Sequence, residues 1–186
     1  MKTINPTLLL FSVMTFLLLP HQGQADSTRR PTVSGTEAFE CLKRLAGQWQ
    51  GTAAEPGALP SVTVIYRVTS ANSVVLESLF PDTDHEMLTV YHLDKGKLVM
   101  THYCAMGNQP HMKLASSSTV SDLHFQFAGG SNLNPSKDAH MHSAHIHLRD
   151  ADHITGEWQG YKDGRPSDAV KFDLVRSKQP ASGSSN

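Results

Sequence analysis

Between Trp49 and Arg176 the chain alternates apolar and polar residues with a period of two, in short runs broken by turn residues. The clearest run is Val62–Thr69, where Val62, Val64, Tyr66 and Val68 share one face. Leu123, Phe125 and Phe127, set against Asp122, His124 and Gln126, mark another over Asp122–Ala128. Applied along the chain, the pattern predicts ten strands, at 49–53, 62–69, 73–80, 85–93, 98–104, 111–117, 122–128, 140–148, 153–161 and 167–176. Ahead of them Ala38–Leu45 switches to helical spacing, with Phe39, Leu42 and Leu45 on one side and Thr36 as its cap. A helix this short is unstable alone and has to dock on something.

Ten evenly spaced strands with no helical crossover imply an antiparallel meander, and a sheet that long removes its open edges by closing. The expected fold class is all-β: a ten-stranded antiparallel up-and-down barrel with a short N-terminal helix at the closed end. A two-sheet sandwich is the structural alternative. In a meander, alternate connections share an end. Residues 54–61, 81–84, 105–110, 129–139 and 162–166 are the longer set and should ring an open mouth, while 70–72, 94–96, 118–121 and 149–152 close the other end. This sends His85, His102, His111, His140 and His142 toward the mouth, and His92, His124, His145, His147 and His153 away from it. It also separates Cys41 from Cys104 by a strand's length, roughly 23 Å at ~3.3 Å per residue. A disulfide needs Cα atoms within about 7 Å, so none is expected.

The ends of the chain change the picture of where it works. Lys2, the apolar run Leu8–Leu19 and the small residues Gly23-Gln-Ala25 read as an export signal over 1–25. Its apolar core, about 12 residues, falls short of the roughly 20 of a spanning helix. The expected organisation is a signal peptide (1–25), a flexible lead (26–35), a barrel domain (36–176) and a disordered tail (177–186), exported to the periplasm or beyond, with no membrane span after cleavage. The formal net charge of -1 and the lack of a basic run argue against nucleic acid as a partner.

Leu45-Ala-Gly-Gln-Trp49, following a short helix and opening the first strand, resembles the Gly-x-Trp signature of lipocalin-like (calycin) barrels. The resemblance implies a helix plugging the closed end and Trp49 packed on a basic residue of the last strand, for which Arg176 is placed. His102-Tyr-Cys-Ala-Met-Gly-Asn-Gln-Pro110, with Phe80-Pro81 and His85-Glu-Met87, is similar to a group of exported bacterial proteins of unknown function near the nitrobindin-like ten-stranded barrels. Nitrobindins carry haem on one histidine of a C-terminal strand, and no position here matches that motif.

The candidate chemistry gathers at the mouth. His102, Cys104, Asn108 and Gln109 lie on one strand end and loop, and with His85, Tyr66 and Glu77 form the candidate ligand-binding set. Glu77 falls between two competing apolar frames, Val75/Leu79 and Val74/Leu76/Phe80, so its direction stays open. His140 and His142 sit at i and i+2 and, with His102, form a candidate zinc set. Cys104 beside His102 also suggests a nucleophile, but no third orienting group is visible. The readings are a barrel binding a small, mostly apolar ligand, a barrel enzyme using mouth histidines with or without zinc, a haem-binding barrel, or a barrel filled by its own side chains. Neither a specific reaction nor an oligomeric state follows from the sequence.

Overall fold

The structure, a computed structural model, describes residues 32–54 and 61–178. The signal assigned to 1–25, most of the lead, and the tail beyond 178 lie outside the described residues. Ten strands follow one helix: α1 (Gly35–Lys43), β1 (Gly47–Ala54), β2 (Val62–Thr69), β3 (Val74–Leu79), β4 (Met87–Asp94), β5 (Lys97–Tyr103), β6 (Gln109–Leu114), β7 (Asp122–Ser131), β8 (His140–Leu148), β9 (His153–Lys162) and β10 (Arg165–Arg176). Each pairs antiparallel with its sequence neighbours, and β1 pairs with β10, so the sheet closes into a barrel. The sandwich alternative is thereby set aside. Among the described residues no helix is long and apolar enough to cross a membrane.

The helix begins earlier than its apolar spacing predicts. Ser34, not Thr36, caps it: the Ser34 hydroxyl accepts from the Glu37 backbone N–H at 3.2 Å while the Glu37 carboxylate accepts from the Ser34 N–H at 2.9 Å. This reciprocal box satisfies two donors that a helix start otherwise leaves orphaned. The helix lies under the β4–β5 turn, and a Cβ on Gly35 would stand 2.4 Å from the Gly96 carbonyl, so glycine permits the seating. Ala38, Phe39, Cys41 and Leu42 join the core from below.

The plug is locked from the other side of the seam. Trp49 is fully buried and donates from Nε1 to the Leu45 carbonyl at 2.8 Å. The Arg176 guanidinium lies 4.3 Å from the Trp49 ring centroid and donates to the carbonyls of Ala46, Arg44 and Ala151. It therefore satisfies carbonyls that the helix C-terminus leaves open and places a cation over the indole face.

Two strand starts and one internal irregularity bear on the mouth. β4 starts at Met87 because residues 80–86 form a compact turn: Phe80 and Asp82 adopt positive φ, and the Thr83 hydroxyl donates to the Phe80 carbonyl. β6 starts at Gln109, drawing Gln109 and Pro110 out of the loop and into pairing with Ser131 and Gly130. β8 carries a register shift between Met141 and Ser143, so strict alternation fails there.

Candidate functional site

Inward-facing residues from five strands build a column up the barrel axis. At mid-height the Glu77 carboxylate of β3, only 3% exposed, accepts from the Tyr66 hydroxyl of β2 and the Tyr91 hydroxyl of β4, each at 2.7 Å. The Thr89 hydroxyl also bonds to it. Above them the fully buried Thr89 hydroxyl meets His102 Nδ1 at 3.0 Å. His102 itself is tilted against Trp158 of β9, ring centroids 4.6 Å apart.

Over His102 opens a cavity of about 250 Å³ at the mouth, lined by Phe80, Met87, Cys104, Met106, Met141 and Phe172 among others. Its described walls carry no charged side chain. His102 lines it, and the Nε2 of that ring is buried without a hydrogen-bond partner. Below, the barrel is filled by Tyr91, Met100, Met112 and Phe125, and a void of only about 10 Å³ remains beside Tyr66 and Glu77.

Electrostatics fix the state of this column. Burial holds the His102 pKa down at about 4, so the ring is neutral at physiological pH. Burial raises the Glu77 pKa, opposed by the hydrogen bonds it accepts from Tyr91, Tyr66 and Thr89. With Glu77 ionised its oxygens only accept; Thr89 would then give its single proton to Glu77 and keep a lone pair for His102 Nδ1–H. In that arrangement the imidazole carries its proton on Nδ1 and Nε2 is the bare acceptor.

The His102 shift carries a stability signature. A histidine whose folded pKa lies below its unfolded value, here about 4 against 6.5, contributes stability that is full above about 6.5 and is lost as pH falls toward 4. At about 1.36 kcal/mol per unit the loss approaches 3 kcal/mol. The difference in urea-unfolding free energy between wild type and His102→Gln should therefore shift by that order between pH 7 and pH 4. A difference that stays flat across that range would contradict a buried neutral ring.

The sequence candidates separate. His102 and Cys104 line the cavity, and Tyr66 and Glu77 form the network beneath it. Asn108 does not reach the cavity: its Nδ2 donates to the Ala139 carbonyl at 2.8 Å, tying two mouth loops together. Gln109 braces the same rim, donating to the Gly107 carbonyl and accepting from Asn132. His85 is exposed in the 80–86 turn, away from the cavity walls. The Cys104 thiol has its pKa raised by burial and sits 4.0 Å from the Met87 sulfur, an environment opposite to that of an activated nucleophile. Cys41 and Cys104 are both free thiols.

His140 and His142 do meet, with Nε2 and Nδ1 3.1 Å apart, and His142 stacks on Tyr161 and Phe127. His102 is not part of that cluster. Among the described residues, the three-residue group whose metal-ligating atoms converge is Asp122, His124 and His145, at the other end of the barrel. The strand register shifts between Met141 and Ser143, and His142 packs on Phe127 and Tyr161 while His102 packs on Trp158. Thr89, Tyr91 and Trp158 were missed as site residues; each lies in an inward frame, but only the cross-strand register brings them to Glu77 and His102.

No protein-family model matches this chain, and no curated protein matches it. Its likeness is to solved structures. It resembles Rv2717c from M. tuberculosis at a TM-score of 0.52 and 18% identity, over 76% of this chain and 98% of that one. A protein of unknown function from Nostoc punctiforme, of the DUF3598 family, aligns at 0.49 and 13% identity, over 80% of this chain and 51% of that one. The first likeness is one of fold; the barrel is shared, and no site residue is carried across by it.

Proposed function

We propose that this is an exported, lipocalin-like barrel that binds a small, mostly apolar molecule in the mouth cavity. The ligand's one polar contact is a hydrogen bond donated to His102 Nε2. The observation that supports this reading is an apolar cavity walled by His102, a residue whose Nε2 is buried without a partner. A buried acceptor without a donor costs roughly 1–3 kcal/mol, which a bound hydroxyl or N–H recovers. The cavity, about 250 Å³, lies just under the range of roughly 300–1,000 Å³ that holds drug-sized ligands. A monocyclic or short-chain alcohol, phenol or amide fits that size. Export rests on the residue pattern of 1–25.

A bare imidazole nitrogen is also haem-ligand chemistry, but these residues do not fit haem. The described walls offer no cationic side chain for its propionates, and the cavity is smaller than drug-sized sites. A zinc enzyme built on His102, His140 and His142 is not supported by their placement.

A matched pair of probes tests the reading, p-cresol against toluene, followed by the methyl resonances of Met87, Met106 and Met141 that line the cavity. p-Cresol should shift these methyls and move the His102 Nε2 resonance. His102→Leu should weaken p-cresol by about 5- to 150-fold, the equivalent of roughly 1–3 kcal/mol, and leave toluene little changed. Equal loss of both probes, or methyls that neither probe moves, would sink the proposal.

A further inference from the structure

On the outer face of the barrel near the plugged end, β7 and β8 present a second cluster that the mouth cavity does not use. Asp122 and His124 alternate outward on β7 while Leu123 and Phe125 point into the core. On β8, His145 and His147 alternate outward around Ile146. The register sets His124 directly opposite His145, and Asp122 directly opposite His147. Four side chains thus form a square on two rigid strands.

Their atoms converge. His147 Nδ1 lies 2.6 Å and His145 Nε2 3.2 Å from the same carboxylate oxygen, Asp122 Oδ1. The His124 and His145 rings stack in parallel, centroids 4.0 Å apart and 10° between planes. One ligating atom from each of Asp122, His124 and His145 falls within 4.8 Å of the others. Bonds of about 2.0–2.1 Å in a tetrahedral zinc site imply donor atoms some 3.3 Å apart, so small side-chain rotations close the set.

We propose that Asp122, His124 and His145 form a binding site for a divalent transition metal of the zinc class, with His147 holding the Asp122 carboxylate in place. Two imidazoles and a carboxylate are borderline donors, suited to zinc, nickel or copper rather than magnesium or calcium. His147 fills the part of the outer hydrogen-bonding partner that orients a ligating carboxylate. The three groups leave a fourth position open, and a groove of about 390 Å³ lined by His145, His147, Thr155 and Glu157 runs beside it. The His145 and His147 side chains are 34% and 39% exposed, so an ion reaches them from solvent. An ion pair between Asp122 and histidines 145 and 147 accounts for three members of the square; the convergence of a His124 ring nitrogen on the same point is what the metal reading adds.

The test uses the full chain after export-signal removal, stripped with chelator and titrated with zinc against a chromophoric competitor. One zinc per chain is expected, and the thermal midpoint should rise with zinc concentration. His145→Asn and His124→Asn should each weaken zinc at least tenfold, while His140→Asn, at the mouth end of the barrel, should leave it unchanged. Imidazole NMR of the wild type provides a readout free of folding defects: zinc should move the His124 and His145 ring signals first. Zinc that moves His140 and His142 instead, or that binds His145→Asn as tightly as wild type, or that does not bind at all, overturns the site.

Discussion

Glu77→Ala should lower the free energy of unfolding by about 3–5 kcal/mol, read from urea denaturation at pH 7. The carboxylate is the shared acceptor for the hydroxyls of Tyr66, Tyr91 and Thr89, all inside the barrel. Alanine leaves three buried donors with nothing to donate to, and each unsatisfied group costs roughly 1–3 kcal/mol. Release of a buried carboxyl from its desolvated position returns part of that. The design of the control follows from the same asymmetry. Combining Glu77→Leu with Tyr66→Phe and Tyr91→Phe removes the two tyrosine donors together with the acceptor and should recover much of the loss, Thr89 being kept because His102 Nδ1 bonds to it. The pH dependence has a defined sign. Glu77 has its folded pKa raised by burial, so its contribution is largest in acid and declines as pH rises through that pKa. The gap between wild type and Glu77→Ala should narrow accordingly. A loss below about 1 kcal/mol, against the typical ~1 kcal/mol of an ordinary substitution, would mean that the network is not a structural core.

The network also marks where sequence reading stopped. Strand positions were legible because each run alternates, and the sorting of histidines between the two ends followed from counting connections. The direction of Glu77 was not, because Val74/Leu76 and Val75/Leu79 offer two apolar frames that a single strand cannot choose between. Pairing Glu77 with Tyr66 on one side and with Thr89 on the other decides it, placing all three in the same inward frame. The mouth loop failed for a different reason. Asn108 and Gln109 read as ligand groups by residue type, yet loops must satisfy their own and their neighbours' backbone, and both side chains are committed to that task. The square at Asp122, His124, His145 and His147 was not legible in the sequence, since its geometry exists in the β7–β8 register and nowhere in the local spacing.

Trp49→Ala is the other large effect expected, about 3–5 kcal/mol, the range for truncating a fully buried large aromatic. Trp49 is where three parts of the fold are joined. Its ring is buried in the core, its Nε1 donates to the last turn of the helical segment at Leu45, and its face carries Arg176 of the final strand. Alanine leaves a cavity that the rigid sheet cannot collapse into, and strands β1 and β10 meet at this point to close the barrel. Arg176→Lys separates the contributions. Lysine keeps the charge but cannot hold the carbonyls of Arg44, Ala46 and Ala151 at once, as the guanidinium does. That variant should cost about 1–2 kcal/mol, the cation–π part being roughly 0.5–2 kcal/mol. Hydrogen exchange adds a spatial check, because loss of the plug should raise exchange first at the amides of α1 and the β1–β10 ladder. If the two substitutions instead add with no coupling, the ring and the guanidinium act independently and the seam is held by backbone pairing alone.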